Sequence, residues 1–227
     1  MQPINLLIPP VCNACHQRLD DPDALLCPSC QSKIRLISGS LCPKCGSLLQ
    51  EGSCEACAQI SYDFDAARAV YQYEEPISGI IHNLKYRSYT KGADLLARGI
   101  AEYIQANPEF QKVDYISAVP LHTVRKRERG YNQSELIAKK AAALSGLKYI
   151  KAVVRKRYTQ SQTHLHREQR LQNLNSAFRA CKPAQLAGKS IIVIDDVFTT
   201  GSTINEISKT LHAAGVNKVF GIAASRA

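Results

Sequence analysis

The sequence predicts a mostly parallel α/β sheet with helices on both faces, preceded by a small head held together by metal. Three observations carry this. Eight of the nine cysteines fall within 46 residues near the start, as four Cys-x-x-Cys pairs. From about residue 61 the cysteines give way to alternating strand and helix signals, the pattern of a βα fold. Late in the chain, four consecutive apolar residues run into two acids and a hydroxyl-rich loop. These place two units, 1–60 and 61–227. A chain of 227 residues with 45% hydrophobic and 21% charged residues has an ordinary globular composition, which argues against disorder.

In the head, the pairs are Cys12/Cys15, Cys27/Cys30, Cys42/Cys45 and Cys54/Cys57. One Cys-x-x-Cys turn sets two thiolates about a metal, and two turns complete a tetrahedron. We read two four-cysteine zinc sites, a double zinc ribbon, with sequential pairing favoured over a cross-braced one. Redox dithiols use the same dipeptide spacing, though four regular pairs argue against them, and an iron–sulfur cluster takes the same four thiolates. The segment has few large apolar residues, so the metal supplies folding free energy that a small core lacks. His16 beside Cys15 is read as a bystander and Cys181 as a packed or surface thiol. The head has a net charge of −1, which suits a closed structural site better than a grip on DNA.

In the second unit, Ala66–Tyr73 is strand-like. An amphipathic helix is expected over Lys91–Asn107, stopped by Pro108. A short strand follows at Asp114–Val119. A helix over Asn132–Ser145 has Asn132 or Ser134 as N-cap and Gly146 as its stop. Tyr149–Val154 is strand-like and His166–Asn173 helical. Ser190–Ile194 and Val216–Ala223 are buried strands, with a helix over Ser202–Ala214 between them.

Charge is unevenly spread. Residues 112–182 hold 16 Lys/Arg against 4 Asp/Glu, a net of +12. A polyanion suits such a stretch: nucleic acid, or a small ligand with several phosphates. All ten tyrosines lie between Tyr62 and Tyr158, interleaved with basic residues. Cation beside ring is what single-strand binders use, although most of these tyrosines read as core or edge residues. No apolar run approaches the roughly 18 residues of a transmembrane helix. Residues 1–10 lack a basic lead and a long apolar core, so a cytosolic chain without membrane insertion is expected.

The sharpest motif is Ser190-Ile-Ile-Val-Ile-Asp195-Asp196-Val-Phe-Thr199-Thr200-Gly201-Ser202-Thr203. Ligands of open α/β sheets bind beyond the carboxyl ends of strands. Loop N–H groups at a helix start suit a phosphate. Adjacent acids beside them suit ribose hydroxyls, and Mg²⁺ through water. The Walker and dinucleotide fingerprints are absent.

This segment resembles the phosphoribosyl pyrophosphate (PRPP) signature of type I phosphoribosyltransferases. Three further features are Val119-Pro120-Leu121-His122, Arg129-Gly130-Tyr131-Asn132-Gln133, and Gln162 through Asn173 before Ala177-Phe178. With these and the cysteine-rich head, nearly the whole chain resembles the ComF family. The resemblance implies a type I phosphoribosyltransferase-like domain behind a double zinc ribbon. It also implies a role in natural competence, where imported single-stranded DNA is handled inside the cell, with a helicase or other competence protein as a further partner.

By the same resemblance, Asp195 and Asp196 would bind ribose hydroxyls, and Thr199, Thr200, Gly201, Ser202 and Thr203 the 5′-phosphate, with Mg²⁺ accompanying PRPP. Arg125, Arg129, and Lys85 or Arg87 would stand at the pyrophosphate mouth, and Arg167 and Arg170 on a hood over it. Single-stranded DNA is expected on Arg125, Lys126, Arg127, Arg129, Arg155, Lys156 and Arg157. Purine-type transferases often carry an acid three residues after the second acid of the signature. Here that residue is Thr199, so no general base for an acceptor is visible. The alternative reading is a true Mg²⁺-dependent transferase that moves phosphoribosyl onto a nitrogen base, where positioning and charge stabilisation would carry the reaction.

Overall fold

The computed structural model describes residues 10–87, 89–155 and 177–227. The expected helix His166–Asn173, and Lys156, Arg157, Arg167 and Arg170, lie outside the described residues.

The head is two copies of one metal knuckle. In the first, Cys12 N–H donates to the Gln17 carbonyl (2.8 Å) and His16 N–H to the Cys12 carbonyl (3.0 Å). In the second, Cys42 N–H donates to Ser47 (2.7 Å) and Gly46 N–H to Cys42 (3.0 Å). The fourth residue after each leading cysteine bends left-handed, His16 at φ 61° and Gly46 at φ 71°. Gly46 has a second reason to be glycine: a Cβ there would stand 2.5 Å from the Ala67 carbonyl oxygen. Helices α1 (Pro28–Gln31) and α2 (Glu55–Gln59) close the two ribbons.

The chain then enters β1 (Ala66–Gln72), α3 (Ile77–Tyr86), α4 (Gly92–Ala106), α5 (Pro108–Gln111) and β2 (Tyr115–Ala118). There follow α6 (Thr123–Arg129), α7 (Gln133–Ser145), β3 (Lys148–Tyr149) and β4 (Val153–Arg155). The last part holds β5 (Phe178–Ala180), α8 (Pro183–Leu186), β6 (Ser190–Phe198), α9 (Ser202–Ala213) and β7 (Lys218–Arg226). Among the described residues a parallel five-stranded sheet has the order β1-β7-β6-β2-β3, and β4 and β5 form a separate antiparallel ribbon.

Strand period sorts the core. Ile192 and Ile194 of β6 face the cluster that holds Leu96 and Ile100 of α4 and Ile137 of α7. Ile191 and Val193 face Ile207 and Leu211 of α9. Helices therefore cover both faces, as the continuous apolar run of β6 demands.

The head is not a pendant. Ile37 N–H donates to the Val70 carbonyl (2.9 Å) and Gln72 N–H to Arg35 (3.0 Å), so head residues cover the edge of β1. Leu19, Leu26, Cys12, Cys27 and Cys30 join the cluster of Ile77, Ile80, Ile81 and Leu84. Asn83 Nδ2, buried on α3, donates to the Asn13 carbonyl at 2.6 Å.

Three details depart from the sequence-based elements. The apolar strand 190–194 continues to Phe198, pairing Asp195 with Ala223 and Phe198 with Arg226, so the two acids lie inside the strand. The expected strand Tyr149–Val154 is cut in two, because Ala152 N–H donates to the Ser117 hydroxyl (3.1 Å) and the chain leaves the main sheet. Helices α3 and α6 are absent from the expected elements, although Ile77, Ile80, Ile81 and Leu84 of α3 are spaced as one apolar helix face. The helix caps agree: Asn132 Oδ1 accepts from Ser134 N–H (3.2 Å), and Gly146 ends α7 at φ 71°.

Gly46→Ala should lower unfolding free energy by about 1–3 kcal/mol through the clash with Ala67. Gly52, at φ 80° with open space around it, should cost only the left-handed penalty of about 1–2 kcal/mol. Urea denaturation of the two variants checks the difference; equal or smaller loss at Gly46 would refute the clash.

Candidate functional site

The eight paired cysteines form two clusters, Cys12/Cys15/Cys27/Cys30 and Cys42/Cys45/Cys54/Cys57, with each set's Sγ atoms within 4.8 Å of one another. Pairing is sequential, and His16 lies in neither cluster. A tetrahedron with Zn–S of about 2.3 Å has edges of about 3.8 Å. Sγ separations are 3.7 Å for Cys15–Cys27, 3.6 Å for Cys42–Cys57 and 3.4 Å for Cys45–Cys54. The donor sets thus fit two structural zinc ions. Burial opposes ionisation of Cys12, yet backbone N–H groups of Cys15, Cys27 and Ala14 bring its thiol down to about 6. Cys45 is likewise brought to about 6, against burial, by the Ser47 hydroxyl and backbone. One thiol in each set is therefore ready to ligate at neutral pH.

At the carboxyl end of the sheet, β6 delivers Asp195 and Asp196, and α7 points its N-terminus at them. Gln133 Nε2 donates to Asp196 Oδ2 (2.8 Å) and Ser134 Oγ to Asp195 Oδ1 (3.0 Å). Lys85, from the end of α3, puts Nζ 3.2 Å from the same Asp196 oxygen. Asp196 is 5% exposed, so this cation offsets a charge with little access to water. Asp195 keeps some solvent contact, but its depth and the adjacent Asp196 carboxylate push its pKa up to about 7. Asp196 N–H and the Ser134 hydroxyl only partly offset that.

The loop after β6 turns on Gly201 (φ 76°), whose Cα sits where a Cβ would meet the Phe198 ring at 2.5 Å. Thr199 and Thr200 are exposed, and a small cavity of about 20 Å³ is lined by Asp195, Thr199, Gly201, Ser202 and Thr203 among others. The helix N-terminus of α9 opens there. Beside it, a cleft of about 340 Å³ is lined by Lys85, Tyr86, Arg125, Glu128 and Arg129. Arg129 donates to Gln133 Oε1 (3.0 Å), which links the cleft to the acids, and its guanidinium lies 5.1 Å from the Tyr86 ring centre. Of the residues expected at the mouth, Lys85, Arg125 and Arg129 come together. Arg87 faces the first ribbon, 3.3 Å from His16 Nε2. Arg155 is on the β4–β5 ribbon over the Phe178 ring (5.7 Å) and does not line the cleft.

Several site residues escaped the sequence reading. Gln133 stood in the motif Arg129–Gln133 and Ser134 as an N-cap candidate, but neither was assigned to the acids that they hold. Tyr62 donates its hydroxyl to the Thr200 carbonyl (3.0 Å), and Arg226 donates to the Cys45 carbonyl (2.8 Å) while standing 4.6 Å from the Phe198 ring. The second zinc knuckle thus packs directly behind the hydroxyl-rich loop.

Comparisons with known proteins agree with this layout. A model of the double zinc ribbon domain matches residues 3–61. The DNA utilization protein YhgH of Salmonella typhimurium is 34% identical over 170 residues, 73% of this chain and 74% of that protein. Competence protein F of Haemophilus influenzae is 31% identical over 177 residues, 75% of this chain and 77% of that protein. The chain belongs to the ComF family. Among solved structures, a purine phosphoribosyltransferase from Pyrococcus horikoshii aligns at TM-score 0.37 and 14% identity over 60% of this chain and 81% of that one. The glutamine PRPP amidotransferase of B. subtilis aligns at TM-score 0.40 and 22% identity over 56% of this chain, which spans only 26% of that larger one. Likeness of this size adds nothing to the strand order and loop already described.

This ComF chain should carry about two zinc ions per molecule, at four thiolates each. Cys54→Ser should reduce that to about one. Because the second knuckle backs the loop, amide exchange at 198–204 should also rise. Elemental analysis with exchange mass spectrometry reads both; two zinc ions retained, or unchanged exchange, would contradict the layout.

A second expectation concerns Asp195. Below its ordinary value of 3.8 the acid is protonated whether folded or unfolded; between there and about 7 only the folded chain keeps the proton. Above that window the folded chain holds a disfavoured charge, so this group lowers stability as pH rises. Asp195→Asn should gain on the parent from about pH 4 to 7 and then level off. Urea midpoints across pH test it, and a pH-independent difference would count against the raised pKa.

Proposed function

We propose that this ComF protein binds PRPP and single-stranded DNA in the cytosol and handles incoming DNA during natural transformation. The observation that carries the reading is one rim: paired acids, a hydroxyl-rich loop at a helix start, and a cationic cleft side by side. Asp195 and Asp196 would accept the ribose hydroxyls, residues 199–203 the 5′-phosphate, and Lys85, Arg125 and Arg129 the pyrophosphate. Mg²⁺ bound with the ligand would offset pyrophosphate charge. The names of the relatives, competence protein F and DNA utilization protein, support the DNA role.

Thr199 stands where a base-directed acid would serve a transferase, and it is exposed. That favours ligand binding over transfer to a free base. An assay of pyrophosphate release with purine and pyrimidine bases separates the two readings, since sustained turnover would make the protein a transferase.

Calorimetry on the zinc-loaded full chain tests the ligand. Asp195→Ala with Asp196→Ala removes the ribose acceptors, each charge-assisted hydrogen bond typically contributing about 1.5–3 kcal/mol. PRPP affinity should drop at least tenfold; an unchanged affinity rejects the assignment.

For DNA, log affinity should fall with log salt by about 0.7 per phosphate contact on a single strand. Charge reversal at Arg125, Lys126 and Arg127, all on α6, should weaken binding and flatten the slope by about two to three contacts. An unaltered slope would move the DNA to another surface.

A further inference from the structure

Resting on the proposed binding of both ligands, we infer that PRPP and single-stranded DNA exclude one another, because one cleft serves both. Arg125 and Arg129 are the cations that each ligand calls for, and they line the same cleft of about 340 Å³ with Lys85 and Glu128. Lys85 is already paired with Asp196, so Arg125 and Arg129 against Glu128 leave only a small positive excess. The Mg²⁺-bound pyrophosphate of PRPP would take up both guanidinium groups and neutralise that excess. A DNA phosphate entering afterwards would find both guanidinium groups of the cleft occupied.

The cleft is also built for an unpaired base. Tyr86 forms part of its wall, is 66% exposed, and has the Arg129 guanidinium at 5.1 Å from its ring centre. The His82 ring lies 4.9 Å away, tilted by 46°. A largely exposed ring beside a guanidinium is a platform for a splayed-out base, which a single strand offers and a duplex does not. Another cleft of about 330 Å³ is lined by His16, Tyr73, Glu75, His82 and Arg87 among others. A strand whose base rests on Tyr86 would have one phosphate at Arg129 and its continuation beside Arg87 and the first ribbon. Duplex DNA, lacking the splayed base, would bind through phosphates alone.

The two sites are joined by more than shared charge. Arg129 holds Gln133, and Gln133 holds Asp196, the acid that Lys85 neutralises. A ligand that draws Arg129 or Lys85 outward changes the partners of the acid that the other ligand needs. By linkage the penalty must be equal in both directions.

Fluorescence anisotropy of a labelled oligo-dT, with and without saturating PRPP and Mg²⁺ at matched ionic strength, tests the exclusion. The apparent dissociation constant for oligo-dT should rise at least tenfold with PRPP and with inorganic pyrophosphate. Oligo-dT should weaken PRPP by the same factor in calorimetry. If each ligand binds alone and neither affects the other, the shared cleft is wrong while the proposed function stands. If either fails to bind alone, the proposed function fails and takes this inference with it. Tyr86→Ala tests the platform: oligo-dT should bind roughly 5- to 150-fold more weakly, whereas an abasic strand of equal length should bind the variant and the parent alike. Equal losses for both strands would show that Tyr86 supports the fold and not a base.

Discussion

The site is organised around a carboxylate that keeps only a sliver of solvent contact. Asp196 sits inside β6, and an ionised acid at that depth is tolerable only with a cation and donors around it. Lys85 from α3 and Gln133 from α7 supply them, at 3.2 and 2.8 Å. Removing one partner of such a pair typically costs about 3–5 kcal/mol. That constraint ties three separate elements to one point at the carboxyl end of the sheet. It also fixes the cationic cleft, because Arg129 reaches Gln133 and packs on Tyr86.

The zinc ribbons belong to the same structural logic. A small cysteine-rich segment has little apolar surface of its own, so it borrows a core. The first ribbon does so from α3, the helix that delivers Lys85. The second does so from Phe64, Phe198 and Ile204, around the hydroxyl-rich loop. Tyr62 stacks on Phe64 at 4.6 Å and reaches the loop carbonyl of Thr200. Arg226, last in β7, clamps the Cys45 knuckle from behind. Each ribbon therefore braces one wall of the candidate site, through packing and through the hydrogen bonds of Tyr62 and Arg226.

Much of this was legible beforehand. Four Cys-x-x-Cys pairs dictate two metal centres because thiolate chemistry is local and its spacing is short. The apolar run, acids and hydroxyl loop at 190–203 dictate a strand, a turn and a helix start, since each feature lies within a few residues. Asn132 and Gly146 ended α7 as capping chemistry requires. Less legible were α3 and α6: α3 carries a regular apolar face at Ile77, Ile80, Ile81 and Leu84 that the reading of the sequence passed over, whereas α6 buries no residue and so has no apolar period to read. The split of residues 149–154 was hidden as well, because a single hydroxyl, Ser117, draws the backbone out of the sheet.

By itself the sequence determined the metal chemistry, the alternating architecture, the position of the paired acids and the basic character of the middle of the chain. All of these follow from neighbours along the chain. Only the tertiary structure decided which cations meet those acids. It brought Lys85 to Asp196 across 111 positions, set Arg125 and Arg129 beside them, and sent Arg87 to the first ribbon instead. The reason is that burial, not sequence proximity, selects the partner: a desolvated carboxylate must find its cation in whatever elements the packing brings near it, and no local pattern records which those are.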